Sequence, residues 1–376
     1  MIKHKFLPQP YKGILHKYWE WMPPAIQWMG KEKIITLFEG NTCLWRAKNF
    51  ENYLRDLFPY FHSEVYWKLE GENRGSGSFK DRGMTAAITM AAARGKKVVI
   101  CASTGNTAAS AAVYAQAAGM RCLVVLPEGN VAPGKLTQSY RHGAKVIQIK
   151  GNFDKALEIV REVVLREKDK ELVNSINPHR TEGQKTAAFE IVDELGEAPR
   201  YHFIPVGNGG NITAYWRGYK EYYIKGRSKR CPHMIGYQAV GAAPIVLGRA
   251  VENPKTIASA ICIGNPAKWE EAKAARDESS GKIDMADDEE IMAAYALISE
   301  LEPVSCEPSS AISVAGVIKE IKRIPRDIYI WDGCKIVCTL TGAAWKDPDA
   351  AKKVFVKDPI VIDASYDAVM DVIRSN

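Results

Sequence analysis

The chain has 376 residues, 46% hydrophobic and 25% charged, ordinary globular values at a length that exceeds one small core and suits two domains or one large α/β domain with an insertion. Its net charge of +7, from 51 Lys and Arg against 44 Asp and Glu, is spread along the sequence without a basic run interleaved with aromatics, which argues against nucleic-acid binding. The eight cysteines form no C-x-x-C pair, the N-terminus lacks an apolar h-region, and no segment holds about 18 consecutive apolar residues, so the expectation is a cytoplasmic protein with no metal site and no membrane contact.

Residues Tyr11 to Gly30 carry Ile14, Leu15, Tyr18, Trp19 and Trp21 at helical spacing before Met22-Pro23-Pro24, predicting an N-terminal arm with one short helix, packed on the body or on a second subunit. Leu37 to Thr42 reads as a strand ending in a Gly/Asn turn, and Val65 to Leu69 as another. Glycines from 71 to 77 lead into Lys80 and a helix from Arg82 to Arg94. Strands at Val98–Cys101, Cys122–Leu126 and Lys145–Ile149 then alternate with helices at Thr107–Ala118, Gly134–Tyr140 and Phe153–Arg166, the pattern of a parallel sheet with right-handed crossovers. A second α/β layer follows, with helix Gly183–Leu195, strand His202–Val206, helix Ile212–Tyr223, strand Met234–Tyr237, helices Asp288–Leu301 and Ser309–Ile324, and strand Ile336–Leu340. The expected class is α/β, with two domains each built on a twisted, mainly parallel sheet with flanking helices. Residues 1–72 form the arm and part of the large domain, 73–175 a smaller mobile domain, and 176–376 the large domain. Glu307-Pro308 reads as an ordinary helix start, since proline fits the first turn.

Four stretches carry chemistry. Lys80 stands between a Gly/Ser turn and an Ala-rich helix; a lysine at a helix start is disfavoured as the ammonium by the macrodipole and favoured as the amine that a Schiff base needs. Val206-Gly207-Asn208-Gly209-Gly210-Asn211 follows a strand and opens a helix, where free N–H groups bind phosphate, although tight packing is an equal reading. It is not a dinucleotide fingerprint, because Ile212 stands where the last glycine is needed. Cys101 to Thr107 offers hydroxyls, an amide and backbone donors suited to a carboxylate, or simply a helix cap. Thr341-Gly342 is a turn with a hydroxyl. An amine, a phosphate nest, an asparagine and a hydroxyl together are what pyridoxal phosphate requires.

The same stretches carry a resemblance. Ser78-Phe79-Lys80-Asp81-Arg82-Gly83-Met84, Ala102 to Thr107, Asn174-Ser175 with Arg180 to Glu190, Pro205 to Asn208 with Gly210 to Trp216, and Thr341-Gly342 with Lys346-Asp347-Pro348 resemble the threonine synthase family over roughly residues 11 to 350. The resemblance implies a tryptophan-synthase-β type (fold type II) pyridoxal-phosphate lyase, usually a homodimer, that converts the phosphorylated amino acid O-phospho-L-homoserine into threonine. It implies Lys80 as the Schiff-base lysine and catalytic base, Asn106 at the cofactor's O3′, Gly207, Asn208, Gly209, Gly210 and Asn211 at its phosphate, and Thr341 at its ring nitrogen. It implies Ser103, Thr104 and Thr107 on the loop that takes the substrate carboxylate, and Thr107, Asn174, Ser175 and Arg180 at the substrate phosphate.

Three departures stand out. Asn73-Arg74-Gly75-Ser76-Gly77 is one residue longer than the family's usual approach to the lysine, Ala343-Ala344-Trp345 replaces a polar residue, Gly and Leu, and Cys43 stands where proline usually follows Thr42. The first two flank the expected pocket and keep two alternatives open: a replacement enzyme on another phosphorylated amino acid, or a duplicate threonine synthase insensitive to phosphonate mimics of its substrate.

Overall fold

A computed structural model describes residues 10–129, 133–151, 153–323, 333–356 and 358–374. Ten strands are formed among the described residues: β1 (Leu44–Arg46), β2 (Glu64–Leu69), β3 (Val98–Ala102), β4 (Arg121–Pro127), β5 (Lys145–Ile149), β6 (Lys170–Leu172), β7 (Tyr201–Pro205), β8 (His233–Ala239), β9 (Lys282–Ala286) and β10 (Lys335–Leu340). They make a six-stranded sheet in the order β1-β2-β10-β7-β8-β9 and a four-stranded sheet in the order β5-β4-β3-β6. All neighbours are parallel except β1 with β2.

Parallel sheets are covered on both faces, and side chains alternate between them. Accordingly Ile336, Cys338 and Leu340 enter one core with Phe203 and Tyr237, while Val337 enters the opposite core with Ile204 and Met234. In the smaller sheet Val99 and Cys101 face one cluster, Ile100 and Ala102 the other. Five helices bring site residues forward: α1 (Lys80–Ala93), α2 (Asn106–Ala117), α3 (Pro178–Gln184), α4 (Gly210–Ile224) and α5 (Pro308–Arg323).

The structure differs from the sequence reading in several places. The segment expected as a strand at Leu37 to Thr42 is irregular, because Phe38, Gly40 and Asn41 all have positive φ. Its N–H groups bond side chains instead of a neighbouring strand: Gly40 N donates to Asn73 Oδ1 at 2.9 Å and Asn41 N to Glu190 Oε1 at 2.7 Å. In place of one short helix the arm holds two α-helical turns, Ile14–Lys17 and Pro24–Gln27, with a 3-10 turn at Trp19–Trp21 between them; Pro24 opens the second. The arm packs on the body, with Ile14, Leu15, Tyr18 and Ile26 buried against α4 and its neighbours. Strands β1, β6 and β9 and helix α3 were not read from the sequence. No helix among the described residues is long and apolar enough to cross a membrane.

Candidate active site

In a parallel sheet the loops leaving the C-terminal strand ends share one edge, where ligands bind. Adjacent β2, β10 and β7 release the segments 70–80, 341–342 and 206–211 along that edge. Adjacent β3 and β6 release 103–107 and 173–175 from the smaller sheet. An antiparallel bridge between Ser78 and Gly342 ties the lysine loop to the end of β10, and Phe79 N donates to Thr341 O at 3.0 Å.

Lys80 is the first residue of α1. Its ammonium lies 3.8 Å from the centroid of the Phe79 ring. Burial pulls its pKa well below the usual lysine value; Arg180 adds to this and Glu307 opposes it. An amine form is thereby favoured.

Helices α1 and α3 meet at two glycines. A Cβ at Gly183 would fall 1.8 Å from Arg82 O, and one at Gly83 would fall 2.9 Å from Arg180 O. This close approach brings Lys80, one turn before Gly83, into electrostatic range of Arg180, one turn before Gly183. Arg180 is 1% exposed. Its Nη1 donates to Val173 O at 3.3 Å, its Nε is buried without a partner, and burial pulls its pKa down to about 10. A buried guanidinium with no carboxylate partner among the described residues is costly unless an anion arrives.

Asn106 opens α2 and Thr341 follows β10, and both side chains are buried. They converge on Glu307: Asn106 Nδ2 donates to its two carboxyl oxygens at 3.0 and 3.1 Å, and Thr341 Oγ1 donates to one of them at 3.3 Å. Burial raises the Glu307 pKa. Glu307, read from the sequence as a plain helix start, therefore turns its side chain into the site. No sequence signal marks this, because Glu before Pro at a helix start has an ordinary explanation.

The 207–211 turn leads into α4. Gly209 has φ +76°, and a Cβ there would fall 2.4 Å from Lys268 O, so only glycine fits. The N–H groups of 207 to 211 make no turn or loop hydrogen bond among the described residues. Both amide atoms of the Asn211 side chain are buried without a partner. Donors left free at a helix start fit a phosphate, so these residues suit the anionic tail of pyridoxal phosphate. Asn208 is used differently: its Oδ1 accepts from Ala267 N and its O from Lys268 N, each at 3.1 Å.

Ser103, Thr104 and Thr107 are half-buried at the start of α2, where Ser103 Oγ accepts from Gly105 N at 3.2 Å. Ser175 lies beside the phosphate turn, its Cβ 3.7 Å from where a Cβ on Gly210 would sit. Asn174 is otherwise engaged: Oδ1 accepts from Ala102 N at 2.9 Å and Nδ2 donates to Ala102 O at 2.8 Å. The two sequence departures nearest the site touch each other, since a Cβ on Gly77 would fall 2.4 Å from the Trp345 ring. Lys346 Nζ then donates to Ser76 O at 2.7 Å.

The family profile described as pyridoxal-phosphate dependent enzyme matches residues 35–342. A threonine synthase of Mycobacterium bovis is 50% identical over 345 residues, covering 92% of this chain and 91% of its own. That of Halalkalibacterium halodurans is 48% identical over 364 residues, covering 97% and 98%. That of Methanocaldococcus jannaschii is 45% identical over 369 residues, covering 95% and 86%. Among solved structures, maize serine racemase is similar with a TM-score of 0.68 at 21% identity, covering 85% of this chain and 92% of its own. Cysteine synthase from Entamoeba histolytica reaches 0.69 at 18%, covering 94% and 95%. At these identities the solved structures speak for the fold.

Proposed function

The chain belongs to the threonine synthase family of pyridoxal-phosphate-dependent enzymes, and on that premise we propose how its own residues carry the conversion of O-phospho-L-homoserine and water into L-threonine and phosphate by γ-elimination and β-addition. When bound, pyridoxal phosphate supplies a carbonyl that takes up an amine and a conjugated ring that accepts electron density from Cα. Lys80, held toward its amine form, is the attachment point and, once freed, the base whose Nζ takes the α-proton and then shifts a β-proton. Asn106 donates to the ring hydroxyl and Thr341 meets the ring nitrogen as a neutral hydroxyl, while Glu307 fixes both. The turn 207–211 holds the phosphate tail through its N–H groups, with the Asn211 amide turned to the same ligand.

Ser103, Thr104 and Thr107 receive the substrate carboxylate. Ser175 and Arg180 bind its phosphate, for which the planar guanidinium is well matched. Asn174 acts one step back, setting the position of the 103–107 loop through Ala102. Closure of the four-stranded unit, residues 73–175, keeps water out until phosphate has left. The observation that carries this reading is Arg180: buried, without a carboxylate partner among the described residues, and in electrostatic range of the lysine amine.

Purified protein given O-phospho-L-homoserine should release phosphate and form threonine in equal amounts. Phosphate release without threonine would point instead to a replacement enzyme. Adding a phosphonate analogue should inhibit; persistence of full activity would identify an insensitive duplicate. We also propose a cytoplasmic location and a homodimer, the latter supported by the exposed apolar side chains Ile360, Val361, Tyr366, Val369 and Ile373 near the C-terminus. Sedimentation at micromolar concentration should give twice the chain mass, and a single-chain mass would contradict it.

A further inference from the structure

Lys268 has no part in the roles above, yet it stands at the anion-binding end of the site. Its backbone is fixed to the phosphate turn: its N–H donates to Asn208 O at 3.1 Å, and its carbonyl fills the space a Cβ on Gly209 would need. The side chain then passes Gly210. Its Cδ and the Ser175 Cβ are each 3.7 Å from the point a Cβ there would occupy. The ammonium ends on Thr181 Oγ1, donating at 3.0 Å, one residue beyond Arg180.

Lys268 forms no ion pair among the described residues, and neither does Arg180. Burial lowers the Lys268 pKa; Glu271 and, less, Glu182 oppose this, and Arg180 and Arg217 add to it. Two cations on neighbouring positions of the site, with Arg180 in electrostatic range of Lys268 and its Nε buried without a partner, disfavour each other until an anion joins them.

We propose that Lys268 is a substrate-binding, specificity-determining residue whose ammonium turns from Thr181 onto the substrate's phosphate, completing a two-cation clamp with Arg180. The inference rests on the reading that the substrate is a phosphorylated amino acid. A phosphate monoester carries close to two negative charges at neutral pH. Arg180 matches one and Lys268 the second, while Ser175 contributes a hydroxyl. Thr181 is a neutral partner, so the ammonium is released more easily than it would be from a carboxylate. As the Cγ–O bond breaks, its electron pair passes to the phosphate oxygen and charge rises at the clamp, where two cations stabilise the departing group more than the bound substrate.

The test compares the wild type with Lys268→Met, which keeps the stem and removes the charge, and Lys268→Arg, which restores it. For Lys268→Met, KM for O-phospho-L-homoserine and the inhibition constant of inorganic phosphate should each rise at least tenfold, with cofactor affinity unchanged. Lys268→Arg should recover most of both, which a purely structural role for the side chain would not require. Unchanged KM and phosphate inhibition in Lys268→Met overturn the proposal, as does a loss of cofactor affinity with KM unaltered. Should Lys268→Met fail to fold, Lys268→Arg decides: near-normal phosphate affinity supports the clamp, and a tenfold loss overturns it. A wild type that releases no phosphate from O-phospho-L-homoserine refutes the parent reading instead, independently of either variant.

Discussion

Glu307 is the residue on which the Asn106 and Thr341 side chains converge, and its removal should show how much they depend on it. In Glu307→Ala the Asn106 amide and Thr341 hydroxyl lose an acceptor in a buried setting, at about 1–3 kcal/mol. Cofactor affinity should therefore fall about 10- to 100-fold, measured by equilibrium dialysis. The Lys80 pKa should fall further, because Glu307 is the charge that raises it. Lys80→Ala should abolish both the cofactor absorbance and phosphate release, and any residual turnover above about 0.1% would deny it the role of base. Cys43, where the family usually has proline, has a local explanation: its N–H donates to Glu72 Oε2 at 2.8 Å, a bond proline cannot make.

Among the elements, the crossing of α1 and α3 sets the distance between amine and guanidinium. Gly183→Ala places a methyl against Arg82 O, and overpacking of this kind costs about 1–3 kcal/mol. The urea midpoint should drop accordingly, and KM should rise more than Tm falls would suggest, because Arg180 shifts with its helix. An unchanged midpoint would show that the helices can part without strain. Gly77→Ala should be destabilising for two reasons, a φ of +73° and the Trp345 ring behind it. Trp345→Ala would relieve only the second. The two sequence departures near the pocket are thus one packed unit, which could not be seen while they were 268 positions apart in a string.

The βαβ alternation, Lys80, and the glycine turn were legible because period and short motifs are local properties. Helix α3 was not, since Pro178 and Gly183 look like breakers until the proline is seen at its first turn and the glycine against α1. Glu307, read only as a helix start, and Lys268, not singled out at all, differ for another reason: the side chains they bond, Asn106 and Thr341 for one and Thr181 for the other, come from distant segments of the chain.

At the scale of the whole molecule, stability depends on polar groups buried in the neutral or paired state. His202 is fully buried, bonding Tyr219 Oη and Thr339 Oγ1 at 2.7 Å each, and burial lowers its pKa from 6.5 to about 3. The unfolded chain takes up a proton near pH 6.5 that the folded chain refuses. Its contribution is therefore complete above about pH 6.5 and shrinks as pH falls toward 3, by up to about 1.4 kcal/mol per pH unit. Urea unfolding at pH 7 and 5 should show this loss, and His202→Gln should flatten it. An identical pH slope in the variant would assign the loss to other groups.

Arg82, 0% exposed, is held by Glu70 at 2.7 Å and Glu190 at 2.6 Å, with Lys68 on Glu190 at 2.9 Å. Leaving such a charge alone costs about 3–5 kcal/mol. Arg82 lies in the first turn of α1, the helix that leads into the smaller sheet, whereas its counter-ions come from segments on either side of it in the chain. A fragment of residues 73–175 would keep the cation and lose both carboxylates, Glu70 and Glu190, that pair with it. The two sheets are separate in hydrogen bonding but not autonomous, and neither half should fold when expressed by itself.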